Sequence, residues 1–332
     1  MISVESQVLQ RHLPFFENKS ILFVGSLNDT FPAQLKNSRS VQVVSCYYDY
    51  VRKIQSAVAT DFTIENSHSA DLIVYYWGKN KQEVSFQLNQ ILSQAPIGQE
   101  LLIIGENRSG VRSAEKMLQP LGNIHKIDSA RRCGLYHFQL QQKPHFELSR
   151  YWKVYQHPQL AELSVHCLPG VFSAGELDHG TALLLSTLTQ KVQGRVLDLG
   201  CGAGVIGSYL KQQNPRIELV MSDIHAMALA SAERTLREND LSGEVIASDV
   251  FSDLQGKFNL IISNPPFHDG IDTAYRAVQE LVAQAKWFLV QGGELRIVAN
   301  SFLPYPELLE QAFGAYDVLA KTNKFKVYTV RA

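Results

Sequence analysis

The chain has 332 residues, which is enough for about two domains. Hydrophobic residues make up 45% of it and charged residues 19%, as in globular proteins with large cores. The net charge of −1 excludes a uniformly basic protein, so a nucleic acid would have to be bound by local clusters of positive charge. The N-terminus is too polar for a signal peptide, and no apolar run approaches the about 18 residues of a membrane span. The four cysteines are scattered without a CxxC pair, which argues against a zinc site or a disulfide framework and favours the reducing cytoplasm.

The first half of the chain alternates between short apolar runs and helical patterns. The apolar runs predict strands at Ser20–Gly25, Val41–Cys46, Ala70–Tyr76 and Glu100–Gly105, and the periodicity after the third predicts a helix at Lys81–Ser93. Short apolar strands separated by helices predict a parallel sheet that is covered on both faces.

The second half repeats this outline, which predicts an internal duplication. The runs Arg195–Gly200, Phe258–Ser263 and Gly293–Asn300 align with three strands of the first half, and both halves close on a strand that contains a tyrosine. The fold class is therefore α/β, with two tandem doubly wound Rossmann-like domains, at residues 1–145 and 146–332, built on mostly parallel seven-stranded sheets.

A glycine-punctuated turn in the second half predicts a ligand site. The strand Val196–Leu199 contains one acid, Asp198, and the turn leads into a predicted helix at Val205–Gln213. A buried strand, a tight turn and a helix N-terminus form a site for a nucleotide-like ligand, and Asp198 is expected to face its cationic part. The turn residues are Gly200, Cys201, Gly202 and Gly204. The even spacing of Gly200, Gly202 and Gly204 differs from that of the dinucleotide fingerprint and resembles the first motif of S-adenosylmethionine-dependent methyltransferases. A turn without a ligand is the alternative.

Acids end the next two strands of this half. Asp223 follows a predicted strand at 217–221, about 20 residues beyond the glycine turn, where an acid accepts hydrogen bonds from ribose hydroxyls. Asp249 follows Glu244–Ala247 and is suited to an adenine amino group. We expect the residues that follow the acids, Ile224 and Val250, to line the same site, because ligands of open α/β sheets bind at the carboxyl ends of the strands.

The most specific motif of the chain is Asn264-Pro265-Pro266-Phe267. The prolines end a strand and stiffen the backbone, so that the Pro265 carbonyl and the Asn264 side-chain oxygen are two fixed acceptors. Phe267 offers a flat face for a planar base. Two acceptors beside a ring suit an exocyclic amine, whose nitrogen becomes positively charged as it is methylated, and fixed acceptors stabilise that charge in the transition state. A Pro-Pro strand terminator without a catalytic role is the alternative, and the following His268 has no assigned role.

The first half lacks these features. Its first strand runs into Gly25-Ser26-Leu27-Asn28 and its third into Tyr76-Trp77-Gly78-Lys79, without a strand acid, repeated glycines or Asn-Pro-Pro. We therefore expect the first copy to be degenerate, to bind no cofactor and to position the substrate. A glycine-rich stretch at 169–181 precedes a predicted helix at Ala182–Leu188, and it is either a loop that folds over the ligand or a plain surface loop.

At these motifs the chain resembles the bacterial ribosomal RNA small-subunit methyltransferase C family, densely over about residues 170–328 and thinly before them. The resemblance rests on Val196–Gly202, Ile262–His268, Gly293–Asn300 and Lys324–Tyr328. It implies a guanine-N2 methyltransferase with two Rossmann-like domains, the first degenerate, acting on 16S rRNA within the small ribosomal subunit. It also implies that Asn264, Pro265, Pro266 and Phe267 hold the guanine and that the glycine turn with Asp198, Asp223 and Asp249 holds S-adenosylmethionine. No metal is implied, and we expect a monomer without membrane contact.

Several alternatives stay open at this stage. A sister family that acts on large-subunit RNA shares the duplication and the Asn-Pro-Pro-Phe motif. Methylation of a glutamine side chain or of adenine N6 is a second alternative, a non-catalytic RNA-binding assembly factor a third, and a nicotinamide oxidoreductase a fourth. The cations available for RNA contact are Arg108, Arg112, Lys116, Arg131 and Arg132 in the first half and Lys321, Lys324 and Lys326 near the C-terminus.

Overall fold

The computed structural model describes residues 2–265 and 271–332. The chain divides into two compact units, Met1–Tyr151 and Trp152–Ala332. Residues 146–151 pack on the first unit, because the rings of Phe146 and Tyr151 lie 5.4 and 5.0 Å from the ring of Phe86.

The first unit consists of a seven-stranded sheet and four α-helices among its described residues. Its strands are β1 Ser20–Gly25, β2 Ser40–Ser45, β3 Ala59–Phe62, β4 Leu72–Tyr76, β5 Glu100–Glu106, β6 Gly122–Ala130 and β7 Cys133–Leu140. Its helices are α1 Val4–Leu9, α2 Tyr48–Ile54, α3 Lys81–Gln94 and α4 Ser113–Leu118.

The second unit has the same plan, preceded by a small two-stranded sheet of β8 Lys153–Tyr155 and β9 Val165–Cys167. Its large sheet consists of β10 Arg195–Leu199, β11 Glu218–Asp223, β12 Glu244–Ala247, β13 Phe258–Ser263, β14 Leu289–Asn300, β15 Asp317–Lys321 and β16 Phe325–Arg331. Its helices are α5 His179–Ser186, α6 Val205–Gln213, α7 Ala226–Glu238, α8 Ile271–Phe288 and α9 Tyr305–Phe313.

The two large sheets have identical topology. Their orders are β3-β2-β1-β4-β5-β7-β6 and β12-β11-β10-β13-β14-β16-β15. In each sheet the first five strands of the unit pair in parallel. The last strand, β7 or β16, pairs antiparallel on both sides, with β5 and β6 in the first sheet and with β14 and β15 in the second. This arrangement confirms the predicted pair of doubly wound, mostly parallel seven-stranded domains. The aligned runs occupy equivalent strands, β1 with β10, β4 with β13 and β5 with β14.

The central strands are apolar because helices cover both faces of each sheet. Every residue of β4 is buried, and side chains that alternate along β1 belong to two different core clusters of the first unit. In the second unit, β13 and β14 share one cluster with α8 and α9. Within the described ranges no helix is both long and apolar enough to cross a bilayer, and no group of three or more His, Cys, Asp or Glu is placed to hold a metal ion.

The helix predicted to begin at Ala182 in fact begins three residues earlier. Asp178 caps it by accepting a hydrogen bond from the Thr181 N–H at 2.9 Å, so His179 is its first residue. The prediction was wrong because it began the helix where the apolar run begins, whereas a helix cap is set by a polar side chain.

Candidate active site

The glycine turn after β10 opens onto free space at two of its positions. Gly200 has a φ of +70° and Gly202 one of +54°, and among the described residues no atom lies within 4 Å of a Cβ built on either. Gly204 and Gly207 have a packing role instead. A Cβ on Gly204 would lie 3.1 Å from Ala232, and one on Gly207 would lie 2.6 Å from the Met221 sulfur. The first two glycines therefore border a cradle, and the last two let α6 approach the sheet and α7.

Asp198 is the last residue but one of β10 and is fully buried. Its Oδ2 accepts a hydrogen bond from the Gly207 N–H at 2.8 Å, and its Oδ1 has no partner among the described residues. Burial raises the pKa of this carboxyl to about 7, although the bond from Gly207 opposes the change. A buried carboxyl with one free oxygen is costly unless a donor reaches it, so this oxygen indicates a cationic or hydrogen-bonding ligand group.

Asp223 ends β11 and is tied to the glycine turn. Its Oδ2 accepts from the Gly202 N–H at 2.9 Å and its Oδ1 from the His225 N–H at 2.9 Å. Burial raises the pKa of the carboxyl, while these backbone bonds act to lower it. Each carboxylate oxygen has a second lone pair, so both remain able to accept from a pair of hydroxyls. The next residue, Ile224, is partly buried.

The turn after β12 contains a strained residue. Val250 is buried and has a φ of +53°, which is rare for a β-branched side chain and costs about 1–3 kcal/mol. The Ser248 hydroxyl supports the turn by donating to the Val250 carbonyl at 3.0 Å. The Asp249 carboxylate is partly exposed and lies 4.0 Å from the Arg276 guanidinium on α8. Asp249 and Val250 lie in this turn at the carboxyl end of β12, where the sequence predicts that adenine binds.

Cys201 is a buried packing residue in the same turn. Its sulfur lies 3.8 Å from the Gly202 carbonyl oxygen, and burial raises the pKa of the thiol well above its usual value. Since the thiolate is the reactive form, this cysteine is unsuited to act as a nucleophile.

The Asn264 side chain, just beyond β13, is held in one orientation. Its Nδ2 donates to the Thr181 hydroxyl oxygen at 2.8 Å and to Oδ2 of Asp178 at 3.2 Å. A carboxylate can only accept, so the amide nitrogen has to face Asp178 and the amide oxygen has to face the other way. That oxygen is shielded from water and has no partner among the described residues.

The end of β13 is tied to the end of β10, because the Ser263 hydroxyl donates to the Leu199 carbonyl at 2.7 Å. The Asn264 side chain therefore begins beside the glycine turn. Pro265 is buried, whereas Pro266 and Phe267 lie outside the described residues, as does His268. The stacking role assigned to Phe267 stays a prediction.

Sequence reasoning missed Asp178 and Thr181 as site residues. Their signal is the spacing Asp-x-x-Thr in front of an apolar run, which is typical of an N-capping acid. The glycine content of the run 169–181 predicts only a loop, either over the ligand or on the surface. Its last residues instead form the start of α5 and orient Asn264.

The same positions in the first unit carry other residues. The sheet registers match Phe23 with Asp198, Ser45 with Asp223, Ile64 with Asp249 and Tyr76 with Asn264. The Phe23 ring is fully buried, 6.1 Å from the ring of Phe31 and 6.3 Å from that of Tyr76. Aromatic side chains thus fill the space beside this strand.

The glycine that ends β1 also lacks free space. A Cβ on Gly25 would lie 2.2 Å from the Tyr76 carbonyl oxygen, whereas the equivalent Gly200 has no described atom within 4 Å. Of the three acid positions, Ser45 alone keeps a polar side chain, and its hydroxyl accepts from the Tyr47 N–H at 3.0 Å. The first unit has kept the backbone of the turn without the cradle.

Comparison with known proteins agrees with this duplicated plan. The family described as "Methyltransferase small domain" matches residues 162–329, and the one described as "Methyltransferase small domain N-terminal" matches residues 6–155. A protein of Pasteurella multocida named ribosomal RNA small subunit methyltransferase C is 69% identical over 331 residues, with 100% of both chains covered. A Haemophilus influenzae protein of the same name is 68% identical over 332 residues, again with 100% of both chains covered.

One solved structure aligns with nearly the whole chain. It is the T. thermophilus 16S rRNA N2 G1207 methyltransferase in complex with AdoMet and guanosine, which matches with a TM-score of 0.86 and 26% identity over 99% of this chain and 92% of that one. These similarities confirm the resemblance that the motifs indicated. The chain therefore belongs to the ribosomal RNA small subunit methyltransferase C family.

Proposed function

We propose that this chain transfers a methyl group from S-adenosylmethionine to the exocyclic N2 of a guanine in the 16S rRNA of the small ribosomal subunit. The names of its relatives at 69% and 68% identity support the small-subunit RNA as substrate. The solved relative, whose name specifies N2 of G1207 and whose structure contains AdoMet and guanosine, supports the donor and the acceptor base. The observation that carries the proposal is the free Asn264 oxygen, fixed in orientation by Asp178 and Thr181.

The residues around the glycine turn fit S-adenosylmethionine. The free Oδ1 of Asp198 suits the ammonium of the methionine part, and the cradle at Gly200 and Gly202 admits a ligand to the backbone. Asp223 suits the two ribose hydroxyls, and Asp249 suits the adenine amino group. When bound, the cofactor supplies an electrophilic methyl group.

The catalytic work of the chain is to hold the guanine amine. In this mechanism the Asn264 oxygen and the Pro265 carbonyl each accept a hydrogen bond from one of the two N–H groups of the amine, and Phe267 stacks on the base. Positive charge develops on the nitrogen as its fourth bond forms, and the two fixed acceptors stabilise it more than they stabilise the neutral amine. The nitrogen then loses one proton to water. A strong general base is not required, because that proton is acidic once the nitrogen carries the charge.

The first unit, in the same proposal, binds and positions RNA without a cofactor. The two-residue turn between β6 and β7 consists of Arg131 and Arg132, both exposed, with φ values of +52° and +62°. Such a turn favours Asn-Gly, and each non-glycine residue in this conformation costs about 1–2 kcal/mol. The presence of two arginines at strained positions is explained if their positive charge is needed to bind RNA. Register puts the turn at the carboxyl end of β5, where the exposed Arg108 also lies.

The first alternative function is methylation of large-subunit RNA, because the motif residues do not identify which RNA is the substrate. The test is transfer of labelled methyl groups to small particles, large particles and naked rRNA from cells that lack this enzyme, followed by mapping of the modified base. We expect label at one guanine of 16S rRNA. Label in large-subunit RNA, or on an adenine or a protein, would overturn the assignment.

The second candidate is a non-catalytic assembly factor, and the Asn264→Ala variant tests it. Removing an acceptor at a site of developing charge should lower kcat by about 100-fold or more. Calorimetry should find nearly unchanged affinity for S-adenosylmethionine, because Asn264 is not among the residues assigned to the cofactor. Wild-type protein that binds particles but transfers no methyl group would favour the assembly factor.

A further inference from the structure

An exposed aromatic side chain and a lysine lie together at the carboxyl edge of the second sheet. Phe302, just beyond β14, is 82% exposed. It lines an open cavity of about 420 Å³ together with Asn300, Ser301, Asn323 and Lys324. This volume falls within the range of about 300–1,000 Å³ that is usual for small-molecule sites.

The backbone holds the two sides of this cavity together. The Ser301 N–H donates to the Lys324 carbonyl at 2.8 Å, and Asn300 pairs with Phe325 in the antiparallel ladder. The Thr322 hydroxyl accepts from the Phe325 N–H at 3.0 Å and closes the turn before β16. Phe302 and Lys324 therefore project from two strand ends that are fixed to each other.

The cavity lies on the same edge of the sheet as the target site. Strands β13 and β14 are parallel neighbours, and Ser263 pairs with Ile297, so Asn264 lies opposite Val298. Phe302 is four residues farther along, in the turn that the Leu303 N–H closes onto the Asn300 carbonyl at 3.1 Å, so it lies at most about 14 Å from the position of Asn264 for strands about 4.8 Å apart. A single-stranded RNA with its target guanine at Asn264 would reach Phe302 within a few nucleotides.

A packing contact also joins the two places. The Phe325 ring lies against α5, where a Cβ on Gly180 would be 3.3 Å from its Cε1 atom. Gly180 is flanked by the residues that bind the Asn264 amide, Asp178 two residues before it and Thr181 directly after it. The first turn of α5 therefore contacts both the Asn264 amide and the start of β16, which directly follows the cavity residue Lys324.

The chemistry of the cavity matches a nucleotide. A bare aromatic ring stacks on an unpaired base, an ammonium contacts a phosphate, and two amides bind base edges. No carboxylate lines the cavity, and within the described part of the chain no acidic side chain pairs with Lys324. An apolar protein partner would be matched by several neighbouring apolar side chains, whereas here Phe302 is the single apolar lining residue.

We propose that Phe302 and Lys324 form a second nucleotide subsite. The Phe302 ring stacks on an unpaired base a few nucleotides from the target guanine, and the Lys324 ammonium contacts the adjacent phosphate. This proposal rests on the proposed function, because it takes the RNA at Asn264 as its starting point. The subsite aligns the RNA strand and takes no part in methyl transfer itself.

The test compares Phe302→Ala, Phe302→Trp and Phe302→Leu with the wild type in the full chain. The measurements are kcat and KM for small-subunit RNA, the affinity for S-adenosylmethionine, and anisotropy binding of a single-stranded oligoribonucleotide. We expect Phe302→Ala to raise KM and weaken oligonucleotide binding about 10-fold or more, since stacking contributes strongly per base. The kcat and the cofactor affinity should stay unchanged. Phe302→Trp should bind the oligonucleotide as the wild type does, because it keeps an aromatic ring, whereas Phe302→Leu should bind as weakly as Phe302→Ala.

Trp287→Ala is the matched control. Trp287 is 72% exposed but lies at the end of α8, just before β14 begins, and so at the opposite edge of the sheet. It should change none of these quantities. Lys324→Ala should reduce the slope of log affinity against log salt concentration by about one.

Two outcomes would overturn the subsite. Unchanged KM and oligonucleotide binding in Phe302→Ala exclude stacking, and full restoration by Phe302→Leu indicates apolar packing against a protein instead. The oligonucleotide assay does not require catalysis. A wild type that methylates no guanine would therefore refute the proposed function, while the comparison of wild type and Phe302→Ala would still decide the subsite.

Discussion

Replacing Asp198 by asparagine should make the cofactor-free protein more stable at neutral pH. Burial raises the pKa of this carboxyl from 3.8 to about 7. In the window between these values the folded state holds a proton that the unfolded chain releases, so stability falls as the pH rises through the window and the full penalty is present above it. Each pKa unit corresponds to about 1.4 kcal/mol, so the ionised carboxyl costs the folded state about 4 kcal/mol.

The Asp198→Asn side chain would keep the acceptor for the Gly207 N–H and would remove the charge. Its amide nitrogen would take the position of Oδ1, which has no partner among the described residues, at a cost of about 1–3 kcal/mol. This cost does not depend on pH. The advantage of the Asp198→Asn variant should therefore grow by about 2–3 kcal/mol between pH 5 and pH 8, which is about 5–10 °C in the unfolding temperature of this unit.

The assay is thermal unfolding of the full chain at pH 5, 6, 7 and 8 without cofactor, with calorimetric titration of S-adenosylmethionine at pH 8. Cofactor affinity should fall about 10-fold or more, because the variant loses the carboxylate that we propose faces the ammonium. Asp71→Asn is the control: the Ser20 N–H and hydroxyl lower the pKa of Asp71, so its carboxylate stabilises the fold fully above about pH 4, and this variant should be less stable than the wild type by the same amount at every pH from 5 to 8. A difference between Asp198→Asn and the wild type that is the same at pH 5 and pH 8 would refute the reasoning.

Three further substitutions test separate parts of the site. Asp178→Ala removes the acceptor that orients the Asn264 amide, so single-turnover methylation should slow by about 10-fold or more while cofactor affinity stays unchanged. The lost helix cap should also lower the free energy of unfolding by about 1 kcal/mol. An unchanged methylation rate would contradict the orienting role. Gly202→Ala should weaken calorimetric cofactor binding because its Cβ enters the cradle, whereas Gly292→Ala, with a φ of +74° and equally open surroundings, carries the same strain and should leave binding intact. Replacing Arg131 and Arg132 by Asn and Gly should relax the turn and stabilise the protein by about 1–2 kcal/mol while raising KM for ribosomal particles, and an unchanged KM would exclude the turn from RNA contact.

The sequence predicted the central strands well, because a strand buried on both faces has to be a short apolar run. The predicted bounds of β1, β12 and α6 agree with the structure, and those of β2, β5 and α3 differ by a residue or so. Of the four edge strands of the two large sheets, β12 was predicted, whereas β3, β6 and β15 were missed, because an exposed edge imposes little apolar pattern. Strand β6, at the edge of the first sheet, mixes polar and apolar residues along its length and gave no signal.

The site was predicted in part. The positions of Asp198, Asp223 and Asp249 at or near strand ends follow from chain order, because parallel strands end at the same edge. The support for Asn264 could not be predicted in the same way, since Asp178 and Thr181 lie more than 80 residues earlier in the chain. Neither the free oxygen of Asp198 nor the left-handed Val250 has a signature in the sequence.

The aromatic cluster around Phe23 has an evolutionary consequence. A duplicate that exchanges a buried acid for a ring loses a penalty of about 4 kcal/mol and gains apolar packing. Reverting the exchange would reopen a void, at about 3–5 kcal/mol for a phenylalanine, and would bury a charge again. Loss of the acid in a redundant copy is therefore favoured by stability, whereas its return is opposed by stability. A gene with this architecture is not expected to regain two working donor sites.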